Sequence, residues 1–551
     1  MRVVLLALSS RYIHLSPAPY YLAAELSAYD TCVLDHSVNE EKETVLADIL
    51  SHAPDVLGLS VYIWNLTYLS DLLPEIRKRM PFCHIVLGGP EVSHAQRETL
   101  LRFPFVTVLS GEGEVPFRLL CDAVAQERAF DEIPAASYVQ RDGSMRISEA
   151  FVGSGTPKSP LCAGYGEALN GRIAYIEASR GCPFRCAFCL SGRCGSVRFF
   201  DIEQVKADIL SLAAKSKTVK FIDRTFNADK KRANELFSFI LAHYGKEIPK
   251  GTRFHFEIAG ELLDEEAFAL LKTVPRGVFQ MEIGVQSMHE ETLRAIHRPT
   301  NLARLKKNIA RLLSFDNIHV HIDLIAGLTG ESFSSFRESF DEAYRLAPHV
   351  LQCGFLKLLH GAPMRENPEK YPCEYESEPP YEVKSTPWLS GEELAKIHTA
   401  EAALDRLYNS RRYKRTLSLL PFSPFSMLFS LGEQLRSLPS SAPLAQEITL
   451  VYSFLQEKGI NEESLRDAML LDLISTNSSR LTPAPLRKED ARIKSVRRAL
   501  SLLYPERKGV RRSVCLLSED RCAFVDYTEK DALSKEYPLF ILPISDVLEQ
   551  K

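Results

Sequence analysis

The strongest constraint on this chain is an alternation of short, continuously apolar runs with segments of helical spacing. In the first 126 residues the apolar runs fall at 3–8, 31–35, 56–61, 85–87 and 106–109. Helical patterns occupy 19–28, 41–52, 66–79 and 115–126 between them. The runs are rich in β-branched residues and nearly free of polar ones, as strands covered on both faces must be. Strands that alternate with helices imply right-handed βαβ units, and hence a doubly wound parallel sheet in an α/β fold. Ligands of such sheets lie beyond the carboxyl ends of the strands. Small and polar residues collect there: Ser9, Ser10, Ser60, Gly88, Gly89, Gly111, Glu112 and Gly113. They are candidate ligand contacts, or else the makings of tight turns. No G-x-G-x-x-G fingerprint follows the first strand, and no Walker A loop is present.

Residues 141–172 are rich in Gly, Ser and Pro and read as a linker, with a short hairpin expected at 138–147 across Asp142-Gly143. The alternation then resumes. Strand-like runs fall at 173–177, 220–223, 254–258, 279–285, 319–325 and 351–358, with helical segments such as 293–315 and 332–346 between them. About six units over 172–364 are too few for a closed eight-unit barrel of ~250 residues. Glu257, Glu282, Gln286 and Asp323 are polar residues in or just after these strands, and Asp223-Arg224 ends another. A charge buried there needs a partner. Each is therefore a candidate ligand contact or one half of a structural ion pair.

Directly after the first of these strands comes Ser179-Arg180-Gly181-Cys182-Pro183-Phe184-Arg185-Cys186-Ala187-Phe188-Cys189. The chain has 12 cysteines, and the other nine are scattered. In a reducing compartment those read as small apolar residues, including Cys353 on the last strand, whose alternative is to face the active site. Cys182, Cys186 and Cys189 differ, because their spacing is C-x3-C-x2-C. Three thiolates on one loop suit three irons of a [4Fe–4S] cluster and leave one iron open. A closed site with Cys194 as fourth ligand is the alternative.

This loop, with Phe188 before its last cysteine and a strand just upstream, resembles the signature of the radical S-adenosylmethionine (SAM) superfamily. The resemblance implies a six-unit partial TIM barrel whose open iron chelates SAM. It implies reductive cleavage of SAM to methionine and a 5′-deoxyadenosyl radical. Glu257, Glu282, Gln286 and Asp323 match positions that bind the amino, carboxylate and ribose groups of SAM. Asp223-Arg224 stands where many members carry a Gly-Glu motif for the methionine amino group; that form is absent here.

A flavodoxin- or Rossmann-like domain directly before such a barrel resembles the cobalamin-binding radical SAM proteins. By that resemblance Ser60, Gly88, Gly89 and Gly111–Gly113 would line the cobalamin tail and corrin, with residues Ser9 to His14 beneath the corrin. Histidine-ligating cobalamin domains carry D-x-H-x-x-G after the first strand. Here the stretch is Tyr12-Ile13-His14-Leu15-Ser16-Pro17, so the orienting aspartate is missing. The expectation is cobalamin with its own base displaced and no histidine ligand. The implied activity is methyl transfer to an unactivated carbon of an unknown substrate, fed by a flavodoxin- or ferredoxin-type reductant. Non-methylating radical chemistry and a non-enzymatic cobalamin or cluster sensor are the alternatives.

The expected divisions are a cobalamin-binding domain at 1–135, a linker at 136–171, the barrel at 172–375 and a mainly helical domain at 376–551. The last shows helical patterns at 391–408, 444–457, 462–474 and 493–503, then antiparallel strands at 513–517, 521–527 and 537–542. It resembles a C-terminal domain of unknown function found in one branch of these proteins, and its place in the chain suggests a substrate-selecting cover over the barrel mouth. Residues 487–512 hold ten Lys or Arg against three acidic residues, and with 411–415 they form a candidate nucleic-acid surface or a solvated helix face. The net charge of -4 gives no global attraction to nucleic acid. No run nears the ~20 apolar residues of a membrane helix. The apolar run before Ser9 is only six residues long, short for a signal-peptide core, so the expectation is a cytoplasmic protein.

Overall fold

A computed structural model of the protein describes residues 1–193, 196–420, 423–439, 441–478, 482–505 and 510–549. The first sheet is built from β1 (Arg2–Ser9), β2 (Asp30–Ser37), β3 (Val56–Ser60), β4 (His84–Gly88) and β5 (Val106–Leu109), in spatial order β2-β1-β3-β4-β5 and all parallel. Strand β1, paired on both sides, shows why the runs are apolar throughout. Val4, Leu6 and Leu8 enter the core on one face, and Val3 and Leu5 enter the core on the other, because successive side chains alternate across a strand. The expected hairpin forms as β6 (Ala136–Val139) and β7 (Met145–Arg146), and it adds antiparallel to β5. The sheet thus continues past the boundary expected at 135.

The second sheet runs β8 (Ala174–Ile176), then β11 (Thr218–Phe221), β12 (Arg253–Ile258), β13 (Phe279–Gln286), β14 (His319–Ala326) and β15 (Val350–Phe355), side by side in chain order and parallel. Here burial alternates strictly. Phe279, Met281, Ile283 and Val285 of β13 are buried in the apolar core, while Gln280, Glu282, Gly284 and Gln286 are only half-buried. The alternation marks a sheet whose inner face lines a polar lumen. Between β8 and β11, β9 (Ser179–Gly181) and β10 (Val197–Phe199) pair antiparallel and clamp both ends of the cysteine loop.

Six strands do not close a barrel, so two edges need covering. At the β8 edge, residues 10–15 turn alongside the strand, and the N–H of Ile173 donates to the carbonyl of Ile13 at 3.2 Å. At the β15 edge, the Asn409 amide takes both backbone groups of Leu351, at 3.0 and 2.9 Å, as a neighbouring strand would.

Asn409 belongs to the C-terminal domain. That domain holds a two-stranded sheet, β16 (Glu374–Tyr375) and β17 (Val383–Ser385), and helices Gly391–Ala403, Pro424–Leu435, Leu444–Glu457, Glu462–Thr476 and Ile493–Leu503. It ends in an antiparallel sheet of β18 (Arg512–Leu516), β19 (Arg521–Asp526) and β20 (Leu539–Pro543). The first four of these helices share one continuous apolar core with the barrel, whereas Ile493–Leu503 packs in a separate core with β19. Two of the domain's polar contacts fall at the amino-terminal end of the barrel. Tyr408 Oη donates to the carbonyl of Pro348 at 2.5 Å, and Arg276, just before β13, pairs with Asp531 at 2.5 Å. The helices therefore cover the β15 side and the base of the barrel. The first domain lies over the mouth, and Tyr381 of the C-terminal region reaches it, donating to Glu91 at 2.5 Å.

Several basic residues of 411–415 and 487–512 are paired within the protein. Arg415 pairs with Asp472 and Glu536, and Arg411 donates to the carbonyl of His349. In 487–512, Arg492 pairs with Asp490 and Asp520, and Arg512 with Asp526; residues 506–509 of that run lie outside the described residues.

Candidate active site

Two cavities meet where the carboxyl ends of both sheets face each other. The larger, about 470 Å³, is lined by Ser60, Gly88, Gly89, Gly111, Glu112 and Gly113 of the first domain. It runs inward past Gly58, Leu59, Val86 and Leu109 of the sheet, against Leu22 and Phe117 of the helices Ala18–Ala24 and Glu114–Ala125. Gly89 has φ 102° and ψ 169°, a conformation open to glycine alone. Barrel residues Glu177, Arg180 and Ile222 form the far wall.

Arg180 ties the two domains. It donates to Glu112 at 2.7 Å, Glu114 at 2.6 Å and Glu177 at 2.7 Å, and Arg198 also reaches Glu112, at 2.6 Å. Burial alone would raise the Glu112 carboxyl, but Arg198 and Arg180 hold it below its ordinary value.

Three residues expected at this cavity do not line it. The carbonyl of Ser10 accepts from Asn39 at 3.3 Å, and Ser9 is buried beneath. His14 is carried to the β8 edge by the turn at 10–15, where its Nδ1 shares a 2.6 Å hydrogen bond with Tyr175 Oη. Burial lowers the pKa of His14. Tyr12, at the position of the missing aspartate, lies under the Arg172 guanidinium at 4.9 Å.

The smaller cavity, about 170 Å³, lies in the barrel mouth. Cys182, Cys186 and Cys189 line it with Phe184 and Phe188, and facing them are Arg224, Thr225, Glu257, Glu282, Gln286, Arg298 and Asp323. The three cysteines are free thiols, and Cys182 and Cys186 are buried. Thr225 Oγ1 is 3.4 Å from Cys182 Sγ, and Arg298 Nη1 donates to Cys186 Sγ at 3.6 Å. Burial pushes the Cys186 thiol up, and Arg298 opposes that shift. Soft sulfur donors beside a cation, with no fourth described cysteine in the cavity, fit a cluster with one open iron. Cys194 lies outside the described residues. Cys353 belongs to the apolar core, as packing predicts.

Gln286 follows an irregularity in the β13–β14 register and has φ 70°, unusual for a residue with a side chain. A Cβ on Gly284 would lie 2.3 Å from Gln286 Nε2, so that glycine makes room for the amide. Below them the lumen is a charged network. Lys220 lies 3.3 Å from Glu282 and 3.7 Å from Glu257, and Arg224 lies 3.9 Å from Glu257. Burial raises the Glu257 carboxyl.

Asp223 is corrected. It does not line the cavity but is buried behind it, accepting from the N–H of Ala178 at 2.9 Å and Ser179 Oγ at 2.5 Å. It anchors the start of the cysteine loop. Thr225, Phe184 and Arg298 were not anticipated. Arg298 is 112 residues from Cys186, so no local pattern links them.

Among the described residues no helix is long and apolar enough to cross a membrane. A doubly wound sheet set over the mouth of a six-strand partial barrel with three cysteines in that mouth defines a class: radical SAM proteins that carry a cobalamin-binding domain. Residues 3–120 match the B12 binding domain, residues 176–343 the radical SAM superfamily, and residues 369–508 a protein family of unknown function (DUF4080). These are the domains of a cobalamin-binding radical SAM protein, and they imply a [4Fe–4S] cluster, SAM and cobalamin.

The chain is 28% identical over 318 residues to a 2-(S-pantetheinyl)-carbapenam-3-carboxylate methyltransferase of Streptantibioticus cattleyicolor, covering 54% of this chain and 46% of that protein. It is 27% identical to the cobalamin-dependent radical SAM methyltransferase TokK of Streptomyces tokunonensis, over 58% of this chain and 49% of that one. It thus spans about half the length of these curated relatives. The cobalamin-dependent SAM radical enzyme OxsB, solved with aqua-cobalamin, shares the fold with a TM-score of 0.60 at 15% identity, over 85% of this chain and 78% of that one.

Proposed function

We propose that this protein is an enzyme that transfers a methyl group to an unactivated carbon of its substrate, held between the two cavities. When bound, the cluster supplies the electron that cleaves SAM, and cobalamin carries the methyl group.

One observation carries the reading. Leu190 and Ser191 line the larger cavity, while their neighbours Cys189 and Gly192 line the smaller. A single loop thus separates the two chambers, and groups bound in them would lie on either side of one stretch of backbone.

In this reading Cys182, Cys186 and Cys189 hold three irons. Glu257, Glu282, Gln286, Arg224 and Asp323 orient SAM through its amino, carboxylate and ribose groups. The small residues Ser60, Gly88, Gly89 and Gly111–Gly113 let the backbone approach the corrin. The inward slot past Gly58 and Phe117 suits a displaced nucleotide base, and the bond of His14 to Tyr175 argues against a histidine ligand to cobalt. A flavodoxin- or ferredoxin-type reductant belongs to this reading, as does the cytoplasm, where thiols stay reduced. The paired arginines in the C-terminal domain favour a solvated face over a nucleic-acid surface.

The test is to prepare the protein anaerobically with hydroxocobalamin, reconstitute the cluster, add SAM and a low-potential reductant, and quantify 5′-deoxyadenosine and S-adenosylhomocysteine together. Both products support methyl transfer. Deoxyadenosine alone replaces it with non-methylating radical chemistry. Cys186→Ala is expected to abolish SAM cleavage while cobalamin stays bound, and normal turnover in that variant would remove the cluster from the scheme.

A further inference from the structure

The C-terminal region closes a third cavity against the first domain. Residues 376–382 join β16 to β17, and within them Tyr381 Oη donates to Glu91 Oε1 at 2.5 Å. Beside this contact lies a cavity of about 170 Å³. Glu91 and Val92 of the helical turn Pro90–Ser93 line it, while Pro90 and Ser93 of the same turn line the larger cavity. One turn of helix thus separates the two chambers.

Much of the wall is apolar, formed by Val61, Leu69, Leu73, Leu87 and Phe103. Two buried polar groups set it apart from a packing gap. Ser70 is 4% exposed and lines the cavity, and its Oγ has no hydrogen-bond partner. A helical serine can return its hydroxyl to the carbonyl four residues back; Ser70 does not, and a buried hydroxyl left unpaired is costly. Glu91 is 5% exposed, and Tyr381 engages only its Oε1. A buried carboxylate needs a cation, and burial raises the Glu91 carboxyl. His360 Nε2, at 3.9 Å, does not supply the charge, because burial lowers its pKa to about 4. Arg365 stacks on the Tyr381 ring at 4.5 Å and does not line the cavity. Glu98, Glu378 and Arg102 form the exposed end, so three carboxylates face one guanidinium. The volume is close to the ~150 Å³ of an apolar cavity that takes up benzene.

We propose that this cavity binds a small organic ammonium ion, with an apolar body of about benzene size among the leucines and its N–H groups on Glu91 and Ser70. The site uses no residue given to SAM, cobalamin or the cluster, so it stands apart from the methyl-transfer reading. It is tested by isothermal titration calorimetry of the full-length protein with benzylamine, benzyl alcohol and benzoate, with and without added hydroxocobalamin. The expected result is one benzylamine per chain under both conditions, bound at least about ten-fold more tightly than benzyl alcohol, and no binding of benzoate. Glu91→Gln keeps the shape and removes the charge, and should weaken benzylamine about ten-fold or more. Cys186→Ala should bind benzylamine as the wild type does, which separates this site from any failure of the cluster reading. No bound benzylamine, benzoate bound as tightly, competition by hydroxocobalamin, or unchanged affinity in Glu91→Gln would overturn the proposal in favour of a cavity that holds water alone. Circular dichroism checks the variant, and the charge preference of the wild-type protein decides the matter even if Glu91→Gln fails to fold.

Discussion

Replacing Gly89 by alanine should cost the protein its cobalamin more than its fold. With φ 102° and ψ 169°, the residue occupies a backbone region that side chains avoid at about 1–3 kcal/mol. Its new Cβ would lie 2.5 Å from the carbonyl oxygen and 3.0 Å from the nitrogen of Val61. Both are backbone atoms, and the N–H of Val61 is itself held by the carbonyl of Gly88 at 2.7 Å, so no side-chain rotation relieves the contact. Overpacking of this kind adds about 1–3 kcal/mol. A total near ~3 kcal/mol, taken up by the loop that lines the larger cavity, corresponds to roughly 100-fold weaker binding. Gly143→Ala is the control. That glycine also has positive φ, at 84°, but a Cβ there meets nothing within 4 Å, so it bears only the conformational cost of about 1 kcal/mol and no binding change. The assay is spectrophotometric titration with hydroxocobalamin beside thermal unfolding of each variant. Gly89→Ala binding cobalamin as tightly as Gly143→Ala, with an unchanged melting curve, would refute the reasoning.

Three further outcomes are expected. Arg180→Met leaves Glu112, Glu114 and Glu177 without their shared cation, a loss of about 3–5 kcal/mol for a buried pair; the first domain should come loose, seen as cobalamin release and faster proteolysis within 141–172, and a protease-resistant variant would count against the tie. Arg298→Met removes the N–H donor to Cys186 Sγ and should shift the cluster to a more negative potential, read by redox titration; an unchanged potential would mean that the contact does not act on the cluster. Burial raises the Asp223 carboxyl from 3.8 to about 7. A raised value favours the protonated form on folding, so this contribution is complete below the unfolded pKa and is lost as pH rises through about 7, up to about 4 kcal/mol. Asp223→Asn should flatten that part of the decline in stability between about pH 4 and pH 7, and a decline as steep as in the wild type would exclude Asp223 as its source.

Much of the fold was legible from local pattern. The first sheet reads as continuous apolar runs because β1 is buried on both faces. The barrel strands carry polar residues at Glu257, Glu282 and Gln286 because one face of each borders a lumen. The hairpin at Asp142-Gly143 formed where its turn chemistry places it, but nothing local told that it would extend the first sheet. The cysteine loop is the clearest case, since its three thiols lie within eight residues and must share one site in any fold.

The residues that proved illegible depend on partners far along the chain. His14 stood in the expected sequence position, but the open β8 edge draws its loop away from the larger cavity to Tyr175. Asp223 lies next to Arg224 beyond the end of β11, yet its carboxylate is bound by Ala178 and Ser179 while Arg224 lines the cavity. Arg298 reaches Cys186 while its other nitrogen donates to the carbonyl of Gly284 on β13, at 2.7 Å. Asn409 pairs with the backbone of Leu351 on the open β15 edge, 58 residues away in sequence, and no local pattern links them. Residue type and period, set within a few positions, determined the elements, the cluster ligands and the cofactor class. Register between strands and the need to cover two open edges, which exist only once the sheets form, decided which side chains face the cavities.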